Sequence, residues 1–438
     1  MAKIIRDDHM KKEKFLEELI TFIKEGTCAF TSVNNLKNEF LNRNYVELDE
    51  KEIWEKLPSL FFVTRNDSSI IAIKIPDKYT NSFHITTTHL DTPSLTLKPS
   101  GEYISENYLQ YNVIPYGGLL NYGWLDKNLS LAGRIMLKSN NKWIKKIIDL
   151  KKTIAVIPSV AIHQNDKANS NLDLNMQTDL QPVLALTEEK KDWQKLLKEN
   201  LNIKAQEKIG DFELFLYDNS EPVLYGMENE FLLSPRIDNL TSVFAAFKSF
   251  LEADSSSISV FCSFNNEEIG SLTKEGADGN FLLDTLKKVA AILNLDITST
   301  FANSWIISSD NTHAIHPNHK EYADNTGKGY MNKGFAIMKE INSTTDAIFS
   351  TILKDICNNH KIKYQDVTTK NDIVGGSTLS GLSLRHVSVS SIDVGIVELA
   401  MHSSKELCAT NDIFELYKMM KAFYNTNIVQ KKETIFFD

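Results

Sequence analysis

Histidine and acidic residues stand at five places where an apolar segment of the chain ends or begins. They are His89, Asp238, the pair Glu267-Glu268, Asp310 and His402. Imidazole and carboxylate groups suit zinc, cobalt or manganese. Two such ions about 3.5–4 Å apart need a carboxylate shared between them. The two histidines and the acids therefore predict a dinuclear metal centre that activates water.

The adjacent acids Glu267 and Glu268 can divide this chemistry between them. Consecutive side chains cannot point the same way, so one can bind a metal ion while its neighbour deprotonates the attacking water. Two residues after His89, Asp91 offers a carboxylate that can fix the imidazole tautomer. Each residue alone also has a plainer interpretation, such as a helix cap for Asp238 or a solvated loop for the glutamates. The hypothesis of a metal site rests on all of them meeting at one edge of a sheet.

The segments that would position these residues alternate between strand and helix. Helical spacing predicts a helix of two to three turns around Phe15 to Ile23 and a second one from Ser32 to Arg43. Short β-rich runs follow, and after Pro235 apolar helices alternate with apolar strands, which is typical of an α/β structure. The predicted strands include Phe83 to Thr88, Ile258 to Phe264, Trp305 to Ile307 and Ser391 to Gly395. Ligands in open α/β sheets bind beyond the carboxyl ends of the strands, where the candidate residues lie.

A β-rich stretch interrupts this pattern between residues 95 and 233. Its predicted strands include Arg134 to Leu137, Thr153 to Ile157 and Leu214 to Tyr217. We therefore expect residues 1–94 and 234–438 to form one discontinuous α/β domain of mixed-sheet type, with residues 95–233 inserted as a β-rich domain.

The composition excludes several classes of protein. A chain of 438 residues, 42% hydrophobic, can bury a large core, and a formal charge of -9 argues against a nucleic-acid partner. The four cysteines form no Cys-x-x-Cys pair, so we expect reduced thiols. No signal-peptide core and no membrane-spanning run is evident, so we expect a cytoplasmic protein with no membrane partner.

Several motifs, taken in order, resemble those of the aspartyl aminopeptidase family of dinuclear zinc exopeptidases. The segments that carry the resemblance to its metal site are His89–Pro93, Ser234–Leu240, Asn266–Ser271, Asp310–Asn318 and Met401–Glu406. Segments that are similar to the family's inserted domain are Pro115–Gly118, Leu129–Arg134 and Ile157–His163.

The resemblance implies a role for each residue of the site. His89 and Asp310 would hold one ion, Glu268 and His402 the other, and Asp238 would bridge both. The ions would be Zn²⁺, with Co²⁺ or Mn²⁺ as alternatives. Glu267 would be the general base, Asp91 would orient His89, and His313 would bind the substrate carbonyl or its developing oxyanion.

The resemblance also implies partners and a substrate pocket. Residues 95–233 would form a dimerisation domain that carries His163 towards a neighbouring subunit's active site, in dimers that build a tetrahedral dodecamer. Lys339 matches a substrate-binding lysine only after a shift of one residue, and Asp346 stands where the family has a tyrosine. Gly376 and Ser377 match a glycine-rich turn on the substrate side. Acidic and neutral N-terminal residues both remain open as the preferred substrates.

Two other functions remain as alternatives to a peptide-cleaving aminopeptidase. One is a metal-dependent amidase or deacylase that acts on N-acylated amino acids. The other is a catalytically silent, metal-retaining assembly protein, which would lack a ligand or the base. All of those positions are occupied by suitable residues in this chain, which argues against the catalytically silent protein.

Overall fold

The computed structural model describes residues 2–170, 173–187, 193–204, 206–373 and 379–437. The strands of the described residues are β1 (Val46–Glu47), β2 (Leu60–Arg65), β3 (Ser69–Lys74), β4 (Thr80–His89), β5 (Ser94–Ser105), β6 (Tyr108–Tyr116), β7 (Leu129–Ser139), β8 (Lys142–Asp149), β9 (Val183–Leu186), β10 (Lys208–Asp218), β11 (Val223–Tyr225), β12 (Phe231–Ser234), β13 (Ser257–Phe264), β14 (Trp305–Ser309), β15 (Thr312–His313), β16 (Phe335–Met338), β17 (Tyr364–Val367), β18 (Ser390–Gly395), β19 (Val397–Leu399), β20 (Glu406–Ala409), β21 (Ile428–Lys431) and β22 (Thr434–Phe437). The helices of the same residues are α1 (Ala2–Glu25), α2 (Ala29–Leu41), α3 (Trp193–Asn200), α4 (Ile237–Glu252), α5 (Phe281–Ile292), α6 (Ile297–Ala302), α7 (Ala347–His360), α8 (Leu379–Ser383) and α9 (Thr410–Asn425).

A nine-stranded mixed sheet forms the centre of the molecule, in the order β1-β2-β3-β13-β4-β14-β18-β16-β17. Strands β13, β4, β14 and β18 run parallel to one another. All eight residues of β13 are buried, as expected for a strand covered on both faces. Because parallel strands end at the same edge of a sheet, β4, β13 and β14 deliver their C-terminal residues to one place.

Helices cover both faces of this sheet. One apolar cluster joins the sheet to α1, α2, α4, α7 and α9, and includes Leu19, Leu240 and Phe423. A second cluster, on other strand residues, includes Phe281 and Leu286 of α5 and Leu379 of α8. The expected α/β architecture is therefore confirmed, with a layer of helices on each side of the sheet.

A separate antiparallel sheet is formed by residues 94–218, in the order β8-β7-β10-β5-β6-β9. It has its own apolar core, in which Leu131 and Leu216 pack with Trp193 of α3. Strands β11 and β12 instead join β20, β19 and β15 in a five-stranded sheet. The limits 95–233 of an inserted domain stay a prediction, and this strand pairing favours an earlier end, after Asp218.

Two expectations about single elements were wrong. The first helix is 24 residues long, because the polar residues before Phe15 continue the helix that the apolar pattern revealed only in part. The segment Thr153 to Ile157 is not a strand and contributes only isolated bridges, Ala155 with Leu129 and Val156 with Val183. Within the described ranges, none of the helices combines the length and the apolar composition that a membrane span requires.

Candidate metal centre

Three strand ends bring candidate residues to one edge of the central sheet. His89 is the last residue of β4, and Asp310 directly follows β14. Glu267 and Glu268 lie in a short 3₁₀-helix, Glu267–Ile269, just after β13. Two further segments complete the cluster: Asp238 lies at the start of α4, and His402 lies in the connection between β19 and β20.

The first half of the cluster is centred on His89. Its Nε2 atom lies 3.2 Å from Oδ1 of Asp310 and 3.4 Å from Oδ1 of Asp238. One ligand atom from each of these three residues lies within 4.8 Å of the other two. They are therefore close enough to hold a single ion.

The second half of the cluster is centred on His402. Its Nε2 atom lies 3.4 Å from Oδ2 of Asp238 and 3.4 Å from Oε2 of Glu268. These three residues also place one ligand atom each within 4.8 Å of the others. The two carboxylate oxygens of Asp238 thus face two different histidines, so Asp238 lies between the two halves.

The polar atoms of the cluster fit divalent cations. Oδ1 of Asp238 and Oε1 of Glu268 are buried and accept no hydrogen bond. In the described part of the chain, histidines are the only basic side chains paired with Asp238, Glu268 and Asp310. Buried carboxylates that lack cationic or hydrogen-bonding partners are strongly unfavourable, and a bound cation would remove that penalty. Imidazole and carboxylate are also the donor types that zinc binds.

The pKa values reflect this crowding of acids. Burial, followed by the charge of Asp238, raises the pKa of Glu268 well above its usual range. Burial disfavours the imidazolium form of His89, but the neighbouring carboxylates, Asp310 first, outweigh it and raise the pKa of His89 well above its usual range. The metal-free cluster therefore retains protons near neutral pH that divalent cations would displace.

Glu267 differs from Glu268 because only Glu268 is paired with His402. Burial, then the charge of Asp310, raises the pKa of Glu267 to about 8. A pKa close to neutrality suits a group that accepts and returns a proton during a reaction.

The carboxylate of Asp91 organises the turn that carries both glutamates. Its Oδ1 accepts the main-chain N–H of Glu267 and its Oδ2 that of Glu268, each at 3.1 Å. The hydroxyl of Tyr116 donates to Oδ2 at 2.8 Å, and the amide of Asn266 donates to that hydroxyl at 2.8 Å. The imidazole of His89, by contrast, hydrogen-bonds through Nδ1 to the main-chain carbonyl of Asp91 at 2.9 Å, and its distance to Oδ1 is 3.6 Å. Asp91 therefore orients His89 mainly through its backbone.

Several residues that support the cluster were not predicted from the sequence. The carbonyl of Gly118 pairs with Nδ1 of His402 at 2.8 Å. The carboxylate of Glu406 accepts the main-chain N–H groups of Asp238 and His402 at 3.0 and 2.8 Å. Tyr116, Gly118 and Glu406 all lie within the family motifs Pro115–Gly118 and Met401–Glu406, so these motifs were the available signal for them.

Other candidate residues do not join the cluster in the single chain. His313, on β15, is exposed and is not one of the grouped ligands, but it lies near enough to interact electrostatically with Asp238 and His402. His163 is exposed on the inserted segment. Lys339 pairs with Asp366, with 3.5 Å between Nζ and Oδ1. Asp346 caps α7 by accepting the N–H of Phe349 at 2.7 Å. The predicted pair Gly376 and Ser377 lies outside the described residues.

An α/β sheet that presents two histidines and two acids around a central aspartate, with a further half-buried glutamate beside them, defines a metal-dependent hydrolase. The family model described as "Aminopeptidase I zinc metalloprotease (M18)" matches residues 22–424. The chain is 36% identical over 430 residues to a probable M18 family aminopeptidase 2 of Clostridium novyi (strain NT), covering 94% of this chain and 99% of that one. A probable M18 family aminopeptidase 2 of Pseudomonas entomophila (strain L48) is 34% identical, with 93% and 97% covered. The chain belongs to the M18 aminopeptidase family, and it is a metal-dependent aminopeptidase that hydrolyses the N-terminal residue of peptides.

Solved structures agree with this assignment. The cryo-EM structure of a complex of Ape4 and Nbr1 contains a chain that superposes with a TM-score of 0.90 at 30% identity, covering 94% of this chain and 86% of that one. An M18 aminopeptidase from Thermotoga maritima has the same fold, with a TM-score of 0.83 at 20% identity and 95% and 97% covered. The resemblance seen in the sequence motifs and the expected fold class are thus confirmed.

Proposed function

We propose that the cluster holds two divalent metal ions around Asp238. His89 and Asp310 would hold one ion and Glu268 and His402 the other. The observation that supports this division is that the two oxygens of Asp238 each lie 3.4 Å from a different histidine. We propose zinc for both positions, as the description of the family indicates, and cobalt or manganese suits the same donors. Ions held there supply Lewis-acid polarisation of the scissile carbonyl and lower the pKa of water.

The proton transfers of the reaction fall to Glu267 in this proposal. It accepts the proton of the attacking water and returns it to the leaving amine when the peptide bond breaks. In the metal-free protein the pKa of Glu267 is about 8, which is close enough to neutrality for the group to take up and return a proton. Asp91 keeps Glu267 in place through the main-chain N–H bond described above. His313 would donate a hydrogen bond to the substrate carbonyl as negative charge develops on its oxygen.

A comparison of two glutamate variants tests these roles. Glu267→Gln should retain two zinc ions per chain while kcat falls at least 100-fold, because the amide cannot accept the proton. Glu268→Gln should lose zinc. Peptides with free and with blocked N-termini should be assayed together, on zinc-reconstituted protein. Unchanged turnover by the Glu267 variant would contradict the base, and cleavage of blocked substrates alone would favour the deacylase alternative.

For the substrate side chain we propose a neutral or broad preference. Lys339 is paired with Asp366, and the carboxylate of Asp346 is used to cap α7. Lys339 is therefore engaged by another carboxylate, and Asp346 offers no positive charge to an acidic side chain. A peptide library with every residue at the N-terminus tests this proposal, and at least tenfold faster cleavage after Asp or Glu would contradict it.

We also propose that the chain self-associates through the inserted domain, residues 95–233, into dimers and a tetrahedral dodecamer. Structural support comes from large apolar side chains exposed on this segment, among them Ile114, Val160 and Ile162. The last two lie just before the predicted inter-subunit residue His163 in the sequence. The mApe1 protein of S. cerevesiae, which shares the fold (TM-score 0.83, 23% identity), is a dodecamer. Light scattering of the purified chain, with Ile162→Asp as the disrupting variant, tests the assembly. The cytoplasmic location stays a prediction.

A further inference from the structure

One buried carboxylate connects two of the proposed ligands through their main chain. Oε2 of Glu406 accepts the N–H of Asp238 at 3.0 Å, and Oε1 accepts the N–H of His402 at 2.8 Å. Glu406 is only 2% exposed and begins β20. Each of its two oxygens accepts one main-chain N–H. The side chain therefore connects two segments that are far apart in the sequence.

The two halves of the cluster are fixed in different ways. His89 lies within β4 and pairs with Phe264 of β13, and the N–H of Asp310 donates to the carbonyl of Val394 at 2.9 Å. The central sheet therefore sets both positions. His402 instead lies in a connection, with a left-handed φ of 67°, and Asp238 lies at an irregular helix start with φ -79° and ψ 111°. Regular strand pairing fixes neither residue.

We infer that Glu406 is a positioning residue, which holds Asp238 and His402 at the separation that one metal ion requires. Its carboxylate thereby sets the affinity of the half of the centre that these two residues share with Glu268. This inference rests on the ligand assignment proposed above. The half that contains His89 and Asp310 shares Asp238 but takes its other two ligands from the sheet, so it depends less on Glu406.

Glu398 provides a matched comparison for the loss of charge. It is 1% exposed and lies on β19, next to β20, so it is as deeply buried as Glu406. Its Oε2 accepts a hydrogen bond from the side chain of Asn311 at 3.3 Å, and it accepts no main-chain N–H of a proposed ligand. Replacement of either glutamate by glutamine removes one buried acid beside the cluster, but only Glu406→Gln breaks the connection between Asp238 and His402.

The experiment measures zinc binding by the full-length chain after removal of metal by a chelator. Zn²⁺ is titrated against a chromophoric competitor for the wild type, Glu406→Gln, Glu398→Gln and Glu406→Asp. Circular dichroism and thermal unfolding of each metal-free variant establish that it folds. We expect two ions for the wild type. For Glu406→Gln we expect the affinities of the two ions to separate. The ion that loses support at both Asp238 and His402 should bind at least tenfold more weakly, a size usual for residues that orient metal ligands, and the other ion should be affected less.

Each outcome decides between explanations. A wild type that binds fewer than two zinc ions would overturn the ligand assignment and this inference with it. If the wild type binds two zinc ions and Glu406→Gln binds both with affinities within threefold of the wild-type values, the role of Glu406 is refuted but the ligand assignment is not. If Glu406→Gln and Glu398→Gln lowered the affinities of both zinc ions by the same factor, the loss of charge would explain the effect and positioning would not. If Glu406→Gln fails to fold, Glu406→Asp decides by the same criterion, because it keeps the charge but is one methylene shorter.

Discussion

The carboxylate of Asp91 accepts the main-chain N–H of Glu267 at 3.1 Å. An acid just after β4 thus holds the turn that follows the adjacent strand, β13. Its other oxygen does the same for Glu268. This contact supports the proposed base and one proposed ligand at the same time. Asp91 therefore influences the centre from the side of the glutamates as well as through His89.

We predict that Asp91→Asn lowers kcat by about 10- to 100-fold, the range seen when supporting residues of metal sites are changed. One N–H of the turn would then face the amide NH₂ group, which cannot accept it. Steady-state kinetics on zinc-saturated protein measure the effect. Tyr116→Phe is the matched control, because it removes only one donor to the same carboxylate. A kcat for Asp91→Asn within twofold of the wild type would refute this role.

Much of the centre could be predicted because residues of metal-binding type directly follow apolar runs that predict strands. The apolar run before His89 and the run before Asp310 each showed a strand, and parallel strands end together. His402 was harder, because the chain does not pass directly from β18 to the site but first forms β19. Glu406 contacts the main chain of Asp238, which is 168 positions away, and the main chain of Gly118 contacts His402, which is 284 positions away. No periodic pattern in the sequence encodes such contacts.

Asp346 shows the opposite error, in which a local signal was passed over. Comparison of motifs placed Asp346 at the position of a tyrosine of the family. An aspartate directly before an apolar helix is a typical N-cap, and the structure uses it in that way. The contacts of Asp346 therefore give it a structural role at the start of α7.

The contacts of Lys339 and Asp346 lead to a prediction about specificity. Lys339→Ala should leave the ratio of kcat/KM for N-terminal Glu over N-terminal Leu substrates unchanged within about threefold, because its ammonium group is paired with Asp366. Asp346→Asn should behave alike, since asparagine is also a good N-cap. A preference for Glu that falls tenfold in Lys339→Ala would show that this lysine reaches the substrate.

Metal binding should release protons. The pKa of His89 and that of Glu268 are raised in the metal-free protein, so both groups hold protons that a ligand must lose. We predict release of at least one proton per chain when Zn²⁺ is added at pH 6.5, and an affinity that rises with pH. Titration in weakly buffered solution, followed with a pH indicator, measures the release. Zinc binding without proton release, at an affinity that does not change between pH 6 and 8, would contradict the direction of these shifts.

His84 leads to a prediction about acid stability that does not involve the metal centre. Its ring is fully buried in β4 and stacks on Phe423, with 4.9 Å between centroids. Burial lowers the pKa of His84 from 6.5 to about 4, with a small opposing effect from the main chain of Phe423. Between these values the unfolded chain binds a proton that the folded chain does not. The stability is therefore complete above pH 6.5 and decreases as the pH falls towards 4, by about 3 kcal/mol in total for this group.

Replacement of His84 by Phe should flatten this dependence, because the variant has no group to titrate in either state. Urea unfolding of the metal-free protein at several pH values between 4 and 7 gives the free energy of unfolding for each variant. The difference between wild type and His84→Phe isolates His84 from the carboxylates, which titrate equally in both. His319→Gln is the matched control, since that side chain is 54% exposed and should leave the slope as it is. If His84→Phe and the wild type lose the same stability between pH 6.5 and 4, the buried ring is not the source of the acid sensitivity.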